Sequence, residues 1–392
     1  MEEYWHVVVV FGLCVFLVVY SYAIYPLCLM ALSRFSLLKR NTRYVRNGMD
    51  RWPSEIEPPS VAVIISAFNE EGCIRERIEN LLSLNYPSRK IAFYIGTDGC
   101  SDNTEAIIRE FDDDRVKPSF FEKNRGKASV LNDLVELANE DILVFSDANT
   151  FFECSAVECL VRHFSDPTIG GVCGELNLVS SESGGNLDGV YWKYERLLKF
   201  HESRIGGLLG ANGAIYAIRK ALYIEIPSDT IVDDFSIALN VSLAGKTVIY
   251  DADARAIEEV APTHADEFGR RVRIGSGNFQ SLFRYLGLLN PFKGVLWWTY
   301  VSHKVLRWVT PFFLLIAFLC TAFLSLHSVV FGVLTLLQVV VYLLAFCLRN
   351  KSPENKLLGL LVFWVMMNAA LAKGAFKLAS GRASGTWQST KR

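Results

Sequence analysis

Asp147-Ala148-Asn149 closes a short apolar strand, 142–145, that runs out at Ser146. Two oxygen-bearing side chains follow it with one small residue between them. A chain leaving a buried strand presents such side chains at the strand's carboxyl end, where open α/β sheets bind ligands. Hard oxygen donors at i and i+2 suit Mg2+ or Mn2+, and such an ion grips a diphosphate. Asp and Asn are also favoured in turns that end strands, so the pair alone does not separate a metal site from a turn.

The elements that must position this pair alternate along the chain. Residues 61–66 form a β-rich apolar run, and Asn69-Glu70-Glu71 opens a helical stretch to 84. A second strand at 91–96 leads into Asp98-Gly99-Cys100-Ser101-Asp102-Asn103-Thr104 and a helix to 111. Lys123-Asn124-Arg125-Gly126-Lys127 enters a helix that runs through 137, ahead of the strand at 142–145. This βαβαβαβ pattern predicts a doubly wound, mostly parallel sheet with a ligand site along one edge. Neither a GxxxxGK[ST] loop nor a GxGxxG turn occurs, so a nucleotide is not held in either of those ways.

The chain has 392 residues and a formal net charge of -1, which gives it no overall attraction to nucleic acid. Its apolar residues gather at the two ends. Residues 7–32 match the roughly 30 Å hydrocarbon thickness, with Pro26 a predicted kink. The acidic Glu2 and Glu3, the length and the lack of an A-x-A site argue against a cleaved signal peptide. Arg34, Lys39, Arg40, Arg43 and Arg46 follow, and the positive-inside rule then places the next domain in the cytosol. Further apolar spans are expected at 309–326, 329–348 and 357–372. Residues 291–308 mix tryptophan, tyrosine and basic residues as a headgroup-level helix would. Three crossings after a cytosolic domain leave the tail outside, whereas Lys373, Lys377, Arg382, Lys391 and Arg392 favour the inside, so one span is open to a re-entrant or interfacial reading. The nine cysteines contain no CxxC pair and read as reduced, space-filling thiols.

Five segments occur in order: Ser66-Ala67-Phe68-Asn69-Glu70-Glu71, Thr97 to Thr104, Gly126-Lys127-Ala128, Ser146-Asp147-Ala148-Asn149 and Val232-Asp233-Asp234. In this the chain resembles the membrane-embedded inverting glycosyltransferases of family 2, which include cellulose, hyaluronan, chitin and poly-N-acetylglucosamine synthases. The resemblance covers about 60–280, and the flanking spans also fit it. It implies a GT-A-like fold in a cytosolic domain with transmembrane helices at both ends. The implied division is an anchor helix at 1–33, a basic linker at 34–59, the catalytic domain at 60–280, amphipathic interface helices at 281–308, two to three transmembrane helices at 309–379 and a basic tail at 380–392.

The resemblance also implies roles. Asp98 binds the uracil ring, Ala67 and Glu70 line the base and ribose end, and Lys127 holds the nucleotide. Asp147 ligates Mg2+ or Mn2+ on the diphosphate, with Asn149 at the second metal position, where the family often has Asp. Asp234 is the general base, and Asp233 stands where the family usually has Glu. The alternative reading of Asp234 is an acidic helix start, since Asp is favoured in a first turn. Arg270 and Arg273, on one helix face, occupy the place of the (Q/R)xxRW motif and suit a diphosphate. Ile274 replaces its tryptophan. Residues 210–216 resemble the small-residue stretch beside the donor sugar, and Trp387 to Arg392 resemble a W-x-x-T-x-R tail. Tyr191 to Glu195 fit either sugar stacking or core packing; His201, His264 and His303 lack ligand-spaced partners.

The expected activity is transfer of a sugar from a UDP-sugar to a growing β-linked polysaccharide or lipid-linked glycan, at the plasma or inner membrane. The partners are the donor, the acceptor and membrane lipids, with room for accessory subunits or a homo-oligomer. Ile274 favours a rival, a non-processive transferase adding one sugar to a lipid carrier. A lapsed scaffold subunit is opposed by the retained Asp98, Asp147 and Asp234, and a transporter by the few polar residues inside the spans.

Overall fold

The structure is a computed structural model that describes residues 4–35, 57–179, 187–259, 264–350, 355–383 and 385. The chain divides into two compact units. One comprises Ser33–Ser181, Lys199–Val260 and Ser384–Arg392; the other comprises Met1–Leu32, Glu182–Leu198 and Ala261–Ala383.

Eight strands organise the first unit: β1 Val61–Ala67, β2 Ile91–Asp98, β3 Val116–Phe121, β4 Ile142–Asp147, β5 Thr150–Phe152, β6 Ile169–Val179, β7 Tyr216–Arg219 and β8 Thr247–Glu259. They form one sheet in the order β3-β2-β1-β4-β7-β6-β8-β5. β3, β2, β1 and β4 run parallel, as do β6 and β8, while β7 and β5 pair antiparallel to their neighbours. Parallel strands carry near-continuous apolar runs because helices cover both faces, and β1 and β2 are buried along their whole length. Side chains alternate between the faces. Val61, Val63 and Ile65 pack with Ile74, Ile78 and Leu81, whereas Ala62 and Ile64 pack with Val130, Leu131 and Leu134 on the other side.

This is the doubly wound, mostly parallel sheet the sequence predicts. Two helices differ locally from the expectation. The helix expected from Asn69 is Ile74–Leu82, because Asn69 turns the chain through a left-handed φ of 56°, which Asn tolerates and a helix does not. The second helix is the short Thr104–Arg109.

In the other unit four helices are long and apolar enough to cross a membrane: Trp5–Leu32, Val295–Leu324, Val329–Leu348 and Lys356–Ala379. Pro26 cannot donate to the Tyr22 carbonyl one turn before it. The helix answers with a π-turn at Tyr20–Ile24, and the Tyr194 hydroxyl donates to that carbonyl at 2.8 Å. Tyr194 in turn accepts from Arg307 at 2.7 Å, and Arg307 is paired with Glu195 at 2.6 Å. Tyr191 packs against Phe363 with ring centroids 5.6 Å apart. The segment Tyr191 to Glu195 is therefore used in packing and in holding helices. Part of the stretch at 291–308, expected along the headgroups, joins the 30-residue Val295–Leu324 helix through a π-helical segment, Tyr300–Val305. Helix His264–Arg284 is tied to Lys356–Ala379 by the Ser276 hydroxyl, which donates to the Gly374 carbonyl at 2.9 Å. The basic run at 36–56, the His264 side chain and the tail from Trp387 to Arg392 lie outside the described residues.

Candidate active site

Three neighbouring parallel strands deliver the polar residues to one edge of the sheet. β1 ends at Ala67, β2 at Asp98 and β4 at Asp147, and the register pairs Ser66 with Asp147 and Ala67 with Thr97. The loops that follow β1 and β2 are sewn together. The Ser101 N–H donates to Asn69 Oδ1 at 2.8 Å. The Asn103 N–H donates to Glu71 at 3.0 Å, and the Glu70 N–H donates to the Thr104 hydroxyl at 2.8 Å. Ala67 is buried as a wall of the edge. The Glu70 carboxylate accepts from the Cys73 thiol at 3.3 Å.

Asp98 is buried, and its two oxygens accept the backbone N–H groups of Arg125 and Gly126, each at 2.8 Å. Gly126 sits at φ 90°, a conformation that glycine reaches without strain. The loop is thereby fixed so that helix Lys127–Leu137 begins beside the sheet edge. Lys127 Nζ lies 2.7 Å from Asp147 Oδ1 and 3.2 Å from Asp233 Oδ2. Burial alone would lower its pKa, but the facing carboxylates of Asp147 and Asp233 outweigh it and hold the ammonium well above the usual lysine range.

Asp233 and Asp234 open helix Asp233–Leu243, where the helix dipole favours negative charge. Asp234 Oδ1 accepts the Phe235 N–H at 2.7 Å. Burial, and then the adjacent Asp233, push the Asp234 carboxyl up to about 6, against the pull of Lys127. Gly213 faces it: a Cβ there would lie 3.4 Å from Asp234 Oδ2. The stretch 210–213 is clipped to β6 through Asn212, whose Nδ2 donates to the Gly174 carbonyl at 3.0 Å and whose Oδ1 accepts from Lys199.

Ala67, Asp98, Lys127, Asp147, Asp233 and Asp234 thus meet at one edge, with Glu70 in the adjoining loop. Asn149 is buried two residues past the end of β4, and its Nδ2 has no hydrogen-bond partner. Arg270 and Arg273 belong to the other unit, on helix His264–Arg284, where Arg270 lies 3.9 Å from Glu267 and Arg273 is exposed. Among the described residues no three His, Cys, Asp or Glu side chains form a metal cage. Mg2+ and Mn2+ do not need one, since one carboxylate plus diphosphate oxygens and water complete such a site. Asp147, with its side chain about a third exposed, fits that chemistry. The unpartnered Asn149 amide fits an additional polar contact to whatever is bound there.

Sequence reasoning missed Arg77. Its side chain is fully buried and donates to Ser146 Oγ at 2.8 Å and to Asn80 Oδ1 at 2.7 Å, while its guanidinium lies over the Phe152 ring. Burial drives its pKa down to about 9, partly offset by Asp147. The signal was present: Arg77 occupies the apolar stripe of Ile74, Ile78 and Leu81, where a charge needs a reason.

Residues 62–221 match the family model for Glycosyl transferase family 2. The chain is 23% identical over 363 residues to a poly-beta-1,6-N-acetyl-D-glucosamine synthase of Staphylococcus epidermidis, spanning 85% of this chain and 87% of that protein. It is 25% identical over 255 residues to a protein of the same name from Staphylococcus aureus (strain MSSA476), spanning 62% and 61%. Among solved structures it is similar to the mannosyltransferase PcManGT from Pyrobaculum calidifontis in complex with GDP-Man and Mn2+. The TM-score is 0.72 at 19% identity, with 95% of this chain and 99% of that chain covered. At that identity the likeness speaks for the fold.

Proposed function

We propose that the chain, whose residues 62–221 match the family model for Glycosyl transferase family 2 and which has four helices long and apolar enough to cross a membrane among its described residues, transfers a sugar from a UDP-sugar to a growing β-linked glycan, with inversion at the anomeric carbon. The observation that carries this reading is Asp234: a carboxyl pushed up to about 6, one contact from the small-residue wall at Gly213. A base whose pKa lies near the working pH is well matched to taking a proton.

In this reading the acceptor hydroxyl sits over Asp234 and gives up its proton there as its oxygen bonds to the anomeric carbon. The bond from that carbon to the diphosphate breaks, and UDP leaves with the electron pair. Lys127, bridging Asp147 and Asp233, holds the phosphates and balances the acidic cluster. Asp147, with Asn149 beside it, would hold Mg2+ or Mn2+, which neutralises the leaving diphosphate. Asp98 fixes the Arg125-Gly126 loop at the uracil end, between Ala67 and Glu70. The domain faces the cytosol at the plasma or inner membrane, where UDP-sugars are supplied. The named synthases among the relatives support a polymeric product.

The test is incubation of detergent-purified protein with each labelled UDP-sugar and Mn2+ or Mg2+, followed by sizing of the product. A ladder of chain lengths is expected; a single added sugar would move the reading to the non-processive rival. Asp234→Asn should abolish transfer while UDP affinity stays within a few-fold. Equal transfer by that variant would remove Asp234 from the mechanism.

A further inference from the structure

Two buried lysines of this unit stand in opposite circumstances. Lys127 faces two carboxylates. Lys199, on helix Leu187–Ile205, is only 8% exposed, yet its ammonium meets a single acceptor, the neutral Oδ1 of Asn212. Among the described residues no carboxylate lies within salt-bridge distance of Lys199. The orientation of the Asn212 amide is fixed by its other end, because Nδ2 donates to the Gly174 carbonyl at 3.0 Å, so Oδ1 is the atom turned to the lysine. An ammonium has three donors, and a buried charge without a counter-charge is costly. Such a site gains most from a ligand that brings the missing anion.

Its position says which part of the substrate that is. Asn212 precedes Gly213, the residue that faces the Asp234 carboxyl. Lys199 therefore contacts the residue next to the one that faces Asp234, in a segment that β6 holds through the Asn212 N–H, which donates to Cys173 Sγ, and the Gly174 N–H, which donates to the Ile215 carbonyl. We propose that Lys199, aligned by Asn212, is a specificity-determining residue that reads a negatively charged group on the sugar side of the reaction. That group is a carboxylate on the transferred sugar or a phosphate on the acceptor. The inference rests on the reading of Asp234 as the base, because that reading is what makes this the sugar side.

The experiment compares charged with neutral substrates in two arms, on the full chain in detergent. The donor arm sets UDP-glucuronate against UDP-glucose. The acceptor arm sets a polyprenyl phosphate against a neutral short oligosaccharide. Each arm is read as the ratio of kcat/KM for the charged over the neutral substrate, which is independent of the fraction of protein that is folded. The wild type should favour the charged member of one arm, and Lys199→Gln should lower that ratio about ten- to hundredfold, the usual worth of a charge-assisted hydrogen bond. Lys199→Arg should keep most of the preference. If Lys199 only braces the Asn212 turn, both substrates suffer equally and the ratio stays put, which overturns the proposal. A wild type that favours the neutral member of both arms overturns it as well, with the glycosyltransfer reading intact. A wild type that turns over no nucleotide sugar sinks that reading and takes this inference with it.

Discussion

Asp234 should set the acid limb of the pH–rate profile, and its two charged neighbours should move that limb in opposite directions. The carboxyl stands at about 6, against an ordinary 3.8, because of burial and then Asp233, with Lys127 pulling the other way. In kcat/KM, which reports the free enzyme, the rate should fall tenfold per pH unit below about 6. Asp233→Asn deletes the like charge and also releases the Lys127 ammonium, now 3.2 Å from Asp233, to act on Asp234. Both changes favour the ionised base. At an effective dielectric of about 20, one neighbouring unit charge is worth on the order of 2 kcal/mol. Water at the half-buried carboxyl reduces this, so a downward shift of about one pH unit is expected. Lys127→Met removes the positive charge that holds the Asp234 carboxyl down, and the limb should climb by a similar amount. The assay is initial UDP release at subsaturating donor and constant ionic strength, so that screening does not vary. A limb midpoint does not depend on how much enzyme is active, so loss of protein cannot mimic the effect. A wild-type limb near pH 4, or two variants shifting the same way, would refute the electrostatic account.

The same carboxyl makes a statement about stability. Its folded pKa is raised, so the native state loses stability as pH rises from the unfolded value near 3.8 through about 6. Two units amount to roughly 3 kcal/mol, and about 2 after allowance for solvent screening. Asp234→Asn should therefore raise the thermal midpoint by roughly 4–8 °C at neutral pH and lose that gain toward pH 4, as followed by scanning fluorimetry; a gain that does not depend on pH would count against the shift. Asp98→Asn replaces one of the two acceptors holding the Arg125 and Gly126 N–H groups with a donor. It should lower the midpoint by about 1–3 kcal/mol equivalent and weaken UDP binding through the displaced Lys127. An unaltered midpoint would mean that the loop is held by something else. Asp147→Ala should remove the metal dependence of UDP binding in calorimetric titrations run with and without chelator, and superimposable curves would take Asp147 out of the metal site.

What the sequence made legible follows from how each residue is used. β1, β2 and β4 announce themselves because strands buried on both faces are written as unbroken apolar runs, and Asp98 and Asp147 stand out because they end those runs. β6 carries Gly170, Gly171 and Gly174, and β8 mixes Asp251, Asp253 and Arg255 into its length with register shifts against β6. Neither has the simple period that marks a strand, so the half of the sheet beyond β4 went unread. The site divides in the same way. Asp147 and Asp234 are recognisable by type because they spend their side chains on the open edge. Asp98 has the expected type but spends both oxygens on backbone N–H groups, a use that no residue name reveals. Arg77 and Lys199 were hidden because their partners, Ser146 and Asn212, are set by tertiary packing across the sheet and the 210–213 turn. Both are buried cations whose hydrogen-bond partners are neutral. On the proposal made for Lys199, this edge carries one more positive charge than the motifs imply, and the ratio of charged to neutral substrate turnover is the quantity that reads it.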